Sequence, residues 1–185
     1  MDSTDLARAE HSARLRYEWA RVRRSLIGFA PILIVVGVAV AIGRHRTATV
    51  CFGLATFVAG VAMLWYGREF KRAVLPGVAA GIVPLAMALC ASHVEHGCTG
   101  DGCMMLCVPA CTVGGIIAGL AVANIANERG RSVWFWVSAS SIALLTGAMG
   151  CTCPGYPGLV GLVLGYGAGL VPTLLRRLFA RPPAS

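Results

Sequence analysis

Apolar residues occur along this chain in six long runs that are separated by short polar segments. None of the runs contains Asp, Glu, Lys or Arg in its core, and a helix needs about 20 apolar residues to cross a bilayer. The short connections favour antiparallel neighbouring helices. The pattern therefore predicts an all-α fold, a polytopic membrane helical bundle with six transmembrane helices. Their approximate bounds are 26–43, 47–67, 73–92, 104–126, 132–150 and 156–175.

The composition excludes a water-soluble globule. Hydrophobic residues make up 57% of the 185 residues and charged residues only 13%, whereas average soluble domains have about 45–50% and about 25%. A globule of this size leaves too much surface exposed to hide so much apolar area. A disordered chain would be poor in apolar residues and rich in charge. The expected partner of these helices is the lipid bilayer.

The distribution of basic residues predicts an orientation. With a cytoplasmic N-terminus, 14 of the 16 Lys and Arg residues fall in cytoplasmic segments, and only Arg44 and Arg46 fall outside. The positive-inside rule then places both termini in the cytoplasm. The basic residues are 15 arginines and one lysine, and Ala, Gly and Val are abundant, a composition that resembles the product of a GC-rich bacterial genome and indicates the bacterial inner (plasma) membrane. A formal charge of +8 also suits nucleic acids, but no basic patch with interleaved aromatic residues is present, so no nucleic-acid partner is expected.

The region before the first run has a helical pattern of its own. Leu15, Trp19, Val22 and Leu26 recur at helical spacing among arginines, which is typical of an amphipathic helix at a lipid surface. We therefore divide the chain into three predicted segments. They are an N-terminal amphipathic helix (1–25), a transmembrane domain (26–175) with cysteine-rich outer loops (93–111 and 150–158), and a cytoplasmic tail (176–185).

Glycine spacing indicates close helix packing. Glycines four residues apart in 77–81, 115–119 and 161–169 let helix backbones approach each other, and packing within the bundle is a simpler explanation than a dimer interface. Residues 77–84 and 165–172 also share the pattern G-x-x-A-G-[I/L]-V-P. This match indicates either a 3+3 inverted repeat, as in some transporters, or chance similarity in Ala/Gly/Val-rich sequence.

The cysteines supply the candidate chemistry, because all eight fall in the outer half of the predicted topology. Thiolate and imidazole ligands suit Cu(I) and Zn(II). If 103–111 is helical, its three cysteines rotate by about 40° per step and form a stripe about 12 Å long. Pro109 offers an alternative, in which it lies in the first helical turn and the preceding residues are irregular. The proposed metal ligands are His93, His96, Cys98, Cys103, Cys107, Cys111, Cys151 and Cys153.

Disulfides are the competing interpretation of the same cysteines. An even number of cysteines on an oxidising membrane face favours structural bridges. Thiols spaced by four residues on a regular helix pair poorly with each other, so the 103–111 stripe would need partners such as Cys90, Cys151 or Cys153. Disulfides do not explain the nearby histidines and methionines. Both interpretations remain open at the level of sequence.

No hydrolase or nucleotide-binding motif of the G-x-S-x-G, H-E-x-x-H or P-loop type is present, so we do not expect an enzyme. A thiol oxidoreductase acting through Cys151 and Cys153 is a minor alternative. The sequence thus supports two function predictions. One is an outer-facing Cu or Zn site that serves transport or sensing. The other is a non-catalytic membrane subunit whose disulfide-stapled loops contact a partner, either another membrane protein or a second copy of the chain.

Overall fold

The computed structural model of the chain is entirely helical within the residues it describes, which are 3–42, 46–66, 68–94, 102–128, 132–151 and 155–179. These residues form seven α-helices and no strand, which confirms the predicted all-α bundle. The helices are α1 (Ser3–Phe29), α2 (Pro31–Ile42), α3 (Arg46–Tyr66), α4 (Arg68–Val94), α5 (Gly102–Glu128), α6 (Val133–Cys151) and α7 (Tyr156–Phe179).

Five helices, α3 to α7, are each long and apolar enough to cross a membrane. The segments Ala13–Phe29 and Ile32–Ala41 reach the same length and apolarity only together, and they are bent by 42° relative to each other. Counting this pair as one broken span gives the predicted six. The sequence predicted a surface helix that ends near residue 25, followed by one continuous span. In the structure, α1 continues to Phe29. Pro31 then begins α2, where its fixed φ suits a first helical position and its missing N–H ends the α1 hydrogen-bond ladder.

The four helices α4 to α7 form the centre of the bundle, with α5 packed along α7 and α4 packed along α6. α3 contacts α6, and α1 and α2 contact α3 at the periphery. The central core is rich in alanine because, without a large hydrophobic driving force in lipid, close backbone contact is what holds helices together. Its buried residues are Ala73, Ala80, Ala118, Val122, Ala126, Phe135, Ala139, Ala143 and Tyr166.

The glycine motifs make these close contacts inside the bundle. A Cβ added at Gly115 of α5 would lie 2.6 Å from the carbonyl oxygen of Leu162 in α7. A Cβ added at Gly81 of α4 would lie 2.6 Å from the carbonyl oxygen of Ala143 in α6. Both distances are too short for a real side chain, so the prediction of packing within the bundle is confirmed.

The packing does not follow a 3+3 inverted repeat. In such a repeat α4 and α7 would be equivalent, each being the last span of its half. Gly165 and Gly169 of α7 face α5, which is the first span of the same half, whereas Gly77 and Gly81 of α4 face α6, in the other half. The two copies of the shared sequence pattern thus pack against different helices. This is expected of small residues that recur independently.

Candidate functional site at the cysteine-bearing end

Four helices place their termini at one end of the bundle: α4 and α6 end there, and α5 and α7 begin there. Gly155 precedes α7 with a φ of 73°, a left-handed conformation that glycine adopts without Cβ strain. Pro157 follows in the first turn of α7, where its missing N–H costs no helical hydrogen bond. These local signals explain why α7 begins at Tyr156.

The predicted cysteine stripe lies on a regular helix. α5 begins at Gly102, so Cys103, Cys107 and Cys111 all belong to it and follow one another at four-residue spacing. Pro109 lies inside α5 and not in its first turn, so the alternative of irregular backbone before it is wrong. Cys107 and Cys111 are 1% and 0% exposed, so these two members of the stripe face the interior of the bundle.

A disulfide joins Cys111 of α5 to Cys151 of α6. Their Cα atoms are 6.0 Å apart, within the usual range for such a bridge, and 40 residues separate them in the sequence. The sequence placed Cys151 in a loop, but it is the last residue of α6. The bridge therefore ties helix to helix and not loop to loop, and it uses one of the partners expected for the stripe.

The bridge lies well inside α5 but at the very end of α6. Cys111 lies nine residues after Gly102, a distance of about 13 Å along the axis of α5, whereas Cys151 ends α6. The first two and a half turns of α5 consequently extend beyond the end of α6. Within this projecting part, Cys107 is buried beside Ala91 of α4.

Apolar side chains from α4, α6 and α7 enclose the disulfide. Ala88 of α4, Ala148 of α6 and Leu162 of α7 form a buried cluster with the two bridged cysteines. Reduction of a disulfide requires a thiolate to reach one of its sulfur atoms. Because both cysteines are fully buried among apolar groups, the bridge is shielded from reductants while the helices remain packed.

The remaining predicted metal ligands are only partly placed. The backbones of His93 and Cys103 lie in the last turn of α4 and the first turn of α5, while their side chains lie outside the described part of the chain. His96, Cys98 and Cys153 lie outside it altogether. Among the residues that are described, no three His, Cys, Asp or Glu side chains converge as a metal site would require. The prediction of bound Cu or Zn therefore stays a prediction, and Cys111 and Cys151 offer no thiolate while they are oxidised.

One polar contact in the core was not anticipated from the sequence. The Tyr166 hydroxyl of α7 donates a hydrogen bond to Oγ of Ser140 in α6, at 2.9 Å. The only sequence signals were a tyrosine within an apolar span and several serines in the preceding one. A hydrogen bond of this kind fixes the rotation of one helix against another in an otherwise apolar core.

No protein-family model matches the chain, and neither a curated protein nor a solved structure matches it. Function is therefore inferred from the residues of this chain alone. The described residues supply one well-defined chemical feature at this end, the buried disulfide between α5 and α6.

Proposed function

We propose that the chain is a non-catalytic subunit of the bacterial inner membrane, and that its disulfide-fixed end binds a partner protein on the outer side. The observation that carries the proposal is the Cys111–Cys151 bridge, which lies where α4, α5, α6 and α7 meet. A buried bridge of this kind holds an end of the bundle in one conformation. It uses two of the eight cysteine and histidine residues that a metal site was expected to share.

Two independent features support the outer location of the bridged end. Disulfides persist in oxidising compartments such as the periplasm and are rare in the cytosol. Basic residues collect at the opposite end of the bundle, with Arg72 at the start of α4 and Arg176 near the end of α7. The positive-inside rule assigns that opposite end to the cytoplasm. Redox chemistry and charge therefore both support an outer location of the cysteines.

The shape of the bridged end suits protein contact. The first turns of α5 extend beyond α6 and carry the exposed Leu106, and Tyr156 at the start of α7 is 79% exposed. The disulfide fixes α5 against α6 before any partner arrives. A surface that is already ordered loses less conformational entropy when it binds, so the same contacts give a higher affinity.

Site-specific photo-crosslinking in intact bacterial membranes tests this proposal. A photoreactive amino acid at Tyr156 should crosslink one recurrent partner, whereas the same group at Val133, 74% exposed at the opposite end of α6, should not. The Tyr156 crosslink should be lost in the variant Cys111→Ala/Cys151→Ala. Equal crosslinking from both positions, or an undiminished crosslink in the double variant, would contradict the proposal.

Membrane-impermeant thiol labelling tests the orientation on its own. The protein is prepared with Cys111 and Cys151 as its only native cysteines, and one exposed residue at a time is replaced by cysteine. Tyr156→Cys should be labelled in intact spheroplasts, and Val133→Cys only after permeabilisation. The reverse pattern would place the bridged end in the cytoplasm and overturn the assignment.

Metal binding is the second candidate function, and the helical course of α5 favours it. Cys103 lies on the same helix as Cys107 and Cys111, which gives the stripe of thiols that a Cu(I) or Zn(II) path would need. The chain would bind the ion in its reduced state, with His93, His96, Cys98 and Cys153 as further ligands, and would transport or sense it.

Elemental analysis of protein that is made in cells unable to form periplasmic disulfides, and purified anaerobically so that its cysteines stay reduced, separates the two functions. The metal function requires stoichiometric Cu or Zn in the native protein and its loss in Cys151→Ser/Cys153→Ser. The matched control is Cys51→Ser/Cys90→Ser, which removes two exposed thiols from the helix surfaces of α3 and α4. Absence of metal from the native protein would eliminate this candidate. Equal loss in both double variants would show that the metal is not bound at the predicted site.

A further inference from the structure

A basic cavity lies against α1 at the end of the bundle opposite to the disulfide. It has a volume of about 230 Å³, and the described residues that line it are Tyr17, Ala20, Arg21 and Arg24, with no acidic side chain among them. The two guanidinium groups thus share a cavity without a compensating carboxylate. Guanidinium groups of this kind bind phosphate oxygens through several parallel hydrogen bonds.

The position of one of these arginines is fixed by the neighbouring helix. Arg21 donates a hydrogen bond through an Nη atom to the carbonyl oxygen of Trp65. This carbonyl belongs to the last turn of α3, whose carbonyls have no partner within their own helix. The guanidinium has five N–H donors, so those that do not bind Trp65 can bind an anion. Arg21 is consequently held at the cavity before any ligand arrives.

A separate apolar groove lies further along α1, toward its junction with α2. It has a volume of about 190 Å³ and lies where α1, α2, α3 and α4 meet, beside the 42° bend. Its lining contains no polar side chain among the described residues and includes Gly28, Phe29, Ile32, Leu64, Val74 and Leu75.

The cavity and the groove are aligned on one face of α1. Tyr17, Arg21, Arg24 and Gly28 follow each other at spacings of four, three and four residues, which places them on a single helical stripe. Arg24 is one turn, about 6 Å, from Gly28 at the mouth of the groove. On α4, the exposed Arg72 lies one turn before Leu75, which lines the groove from the other side. Arg24 and Arg72, on two different helices, therefore each lie about one turn from a residue that lines the groove.

We propose that this composite site binds one anionic phospholipid, with its phosphate in the basic cavity and one acyl chain in the groove. Charge complementarity selects the headgroup: a phosphodiester with a neutral alcohol, as in phosphatidylglycerol, presents only negative charge to Arg21 and Arg24. The choline of a zwitterionic lipid would bring a cation to the same arginines. The bound lipid would fill the space beside the bend and hold α1–α2 against α3 and α4.

Native mass spectrometry of the full-length protein, titrated with phosphatidylglycerol or with phosphatidylcholine of the same acyl chains, tests the proposal. We expect one phosphatidylglycerol to bind at least tenfold more tightly than phosphatidylcholine. Arg21→Gln/Arg24→Gln should abolish this preference, whereas Arg14→Gln/Arg16→Gln should change affinity less than twofold. The control pair removes the same charge from the same helix but lies outside the cavity.

The groove is tested separately with both arginines retained. A Cβ at Gly28 would meet only Leu64, at 4.0 Å, so Gly28→Leu is accommodated at its Cβ and fills the groove with its remaining atoms. This variant should weaken phosphatidylglycerol binding at least fivefold, and soluble glycerol phosphate should not compete in the native protein. Gly37→Leu, at a glycine with no atom within 4 Å of the added Cβ, is the control and should bind normally.

Three results would overturn the proposal. Equal loss in the two arginine pairs would show that only the net charge of α1 matters. Unchanged binding to Gly28→Leu would show that the groove holds no acyl chain. Competition by glycerol phosphate at similar affinity would identify a site for a free phosphate ester in place of a lipid.

Discussion

Removal of the Cys111–Cys151 bridge should lower the free energy of unfolding by an amount that follows from the length of the segment it closes. The bridge closes a segment of 40 residues, and the chain-entropy relation gives about 4 kcal/mol for a loop of that length. This value is an upper bound here, because α5 and α6 stay helical in a membrane and the opened chain gains fewer conformations. We therefore expect loss of the bridge to lower the free energy of unfolding by about 2–4 kcal/mol.

A double-mutant cycle isolates the contribution of the bond from that of the side chains. The proteins to compare are the native chain, Cys111→Ala, Cys151→Ala and the double variant, each unfolded by denaturant in the same detergent. Either single substitution already breaks the bond, so the second substitution adds only the small loss of a buried sulfur atom. The coupling energy between the two positions should equal the energy of the bond, about 2–4 kcal/mol.

Two controls make the result specific. The variant Cys51→Ala/Cys90→Ala removes two exposed thiols and should change stability by less than about 0.5 kcal/mol. Reductant should leave the folded native protein unchanged, because the bridge is buried, and should destabilise it only when added during unfolding. If the stability losses of the two single variants added up to the loss in the double variant, the reasoning would be refuted. An equal effect of reductant on the stability of the native protein and of the double variant would refute it as well.

Two further predictions concern the contacts between central helices. Gly165→Ala should lower the free energy of unfolding by about 1–3 kcal/mol, because its Cβ would lie 2.9 Å from the carbonyl carbon of Thr112. The control Gly167→Ala, whose Cβ would have no atom within 4 Å, should be neutral or stabilising. Equal effects of the two substitutions in denaturant titrations would contradict the packing of α5 on α7. Tyr166→Phe should cost about 0.5–1.5 kcal/mol, and a cycle with Ser140→Ala should show coupling of the same size; zero coupling would exclude the hydrogen bond between α6 and α7.

The sequence by itself determined the class of fold and located five spans that are single helices in the structure, whereas the predicted first span corresponds to a bent helix pair. A bilayer of fixed thickness requires about 20 apolar residues per helix, so each span is visible in its own segment without knowledge of the others. The helical course of 103–111 was one of two alternatives, because Pro109 also suits a first helical turn, and only the structure decided between them. The break in the first span had a local signal too, since Pro31 lies inside the predicted run, but the length of α1 beyond residue 25 did not follow from it.

Only the tertiary structure decided which surfaces meet. Helical periodicity placed Cys107 and Cys111 on one face, but it contained no information on whether that face meets Cys90, Cys151 or Cys153. That choice depends on the rotation and axial offset of α5 against α6, which side chains distant in sequence set together. Likewise, two identical glycine patterns pack against different helices, and the groove beside the α1–α2 bend requires four helices at once. Periodicity fixes the faces of a single helix, whereas the pairing of faces is a property of the whole packed bundle.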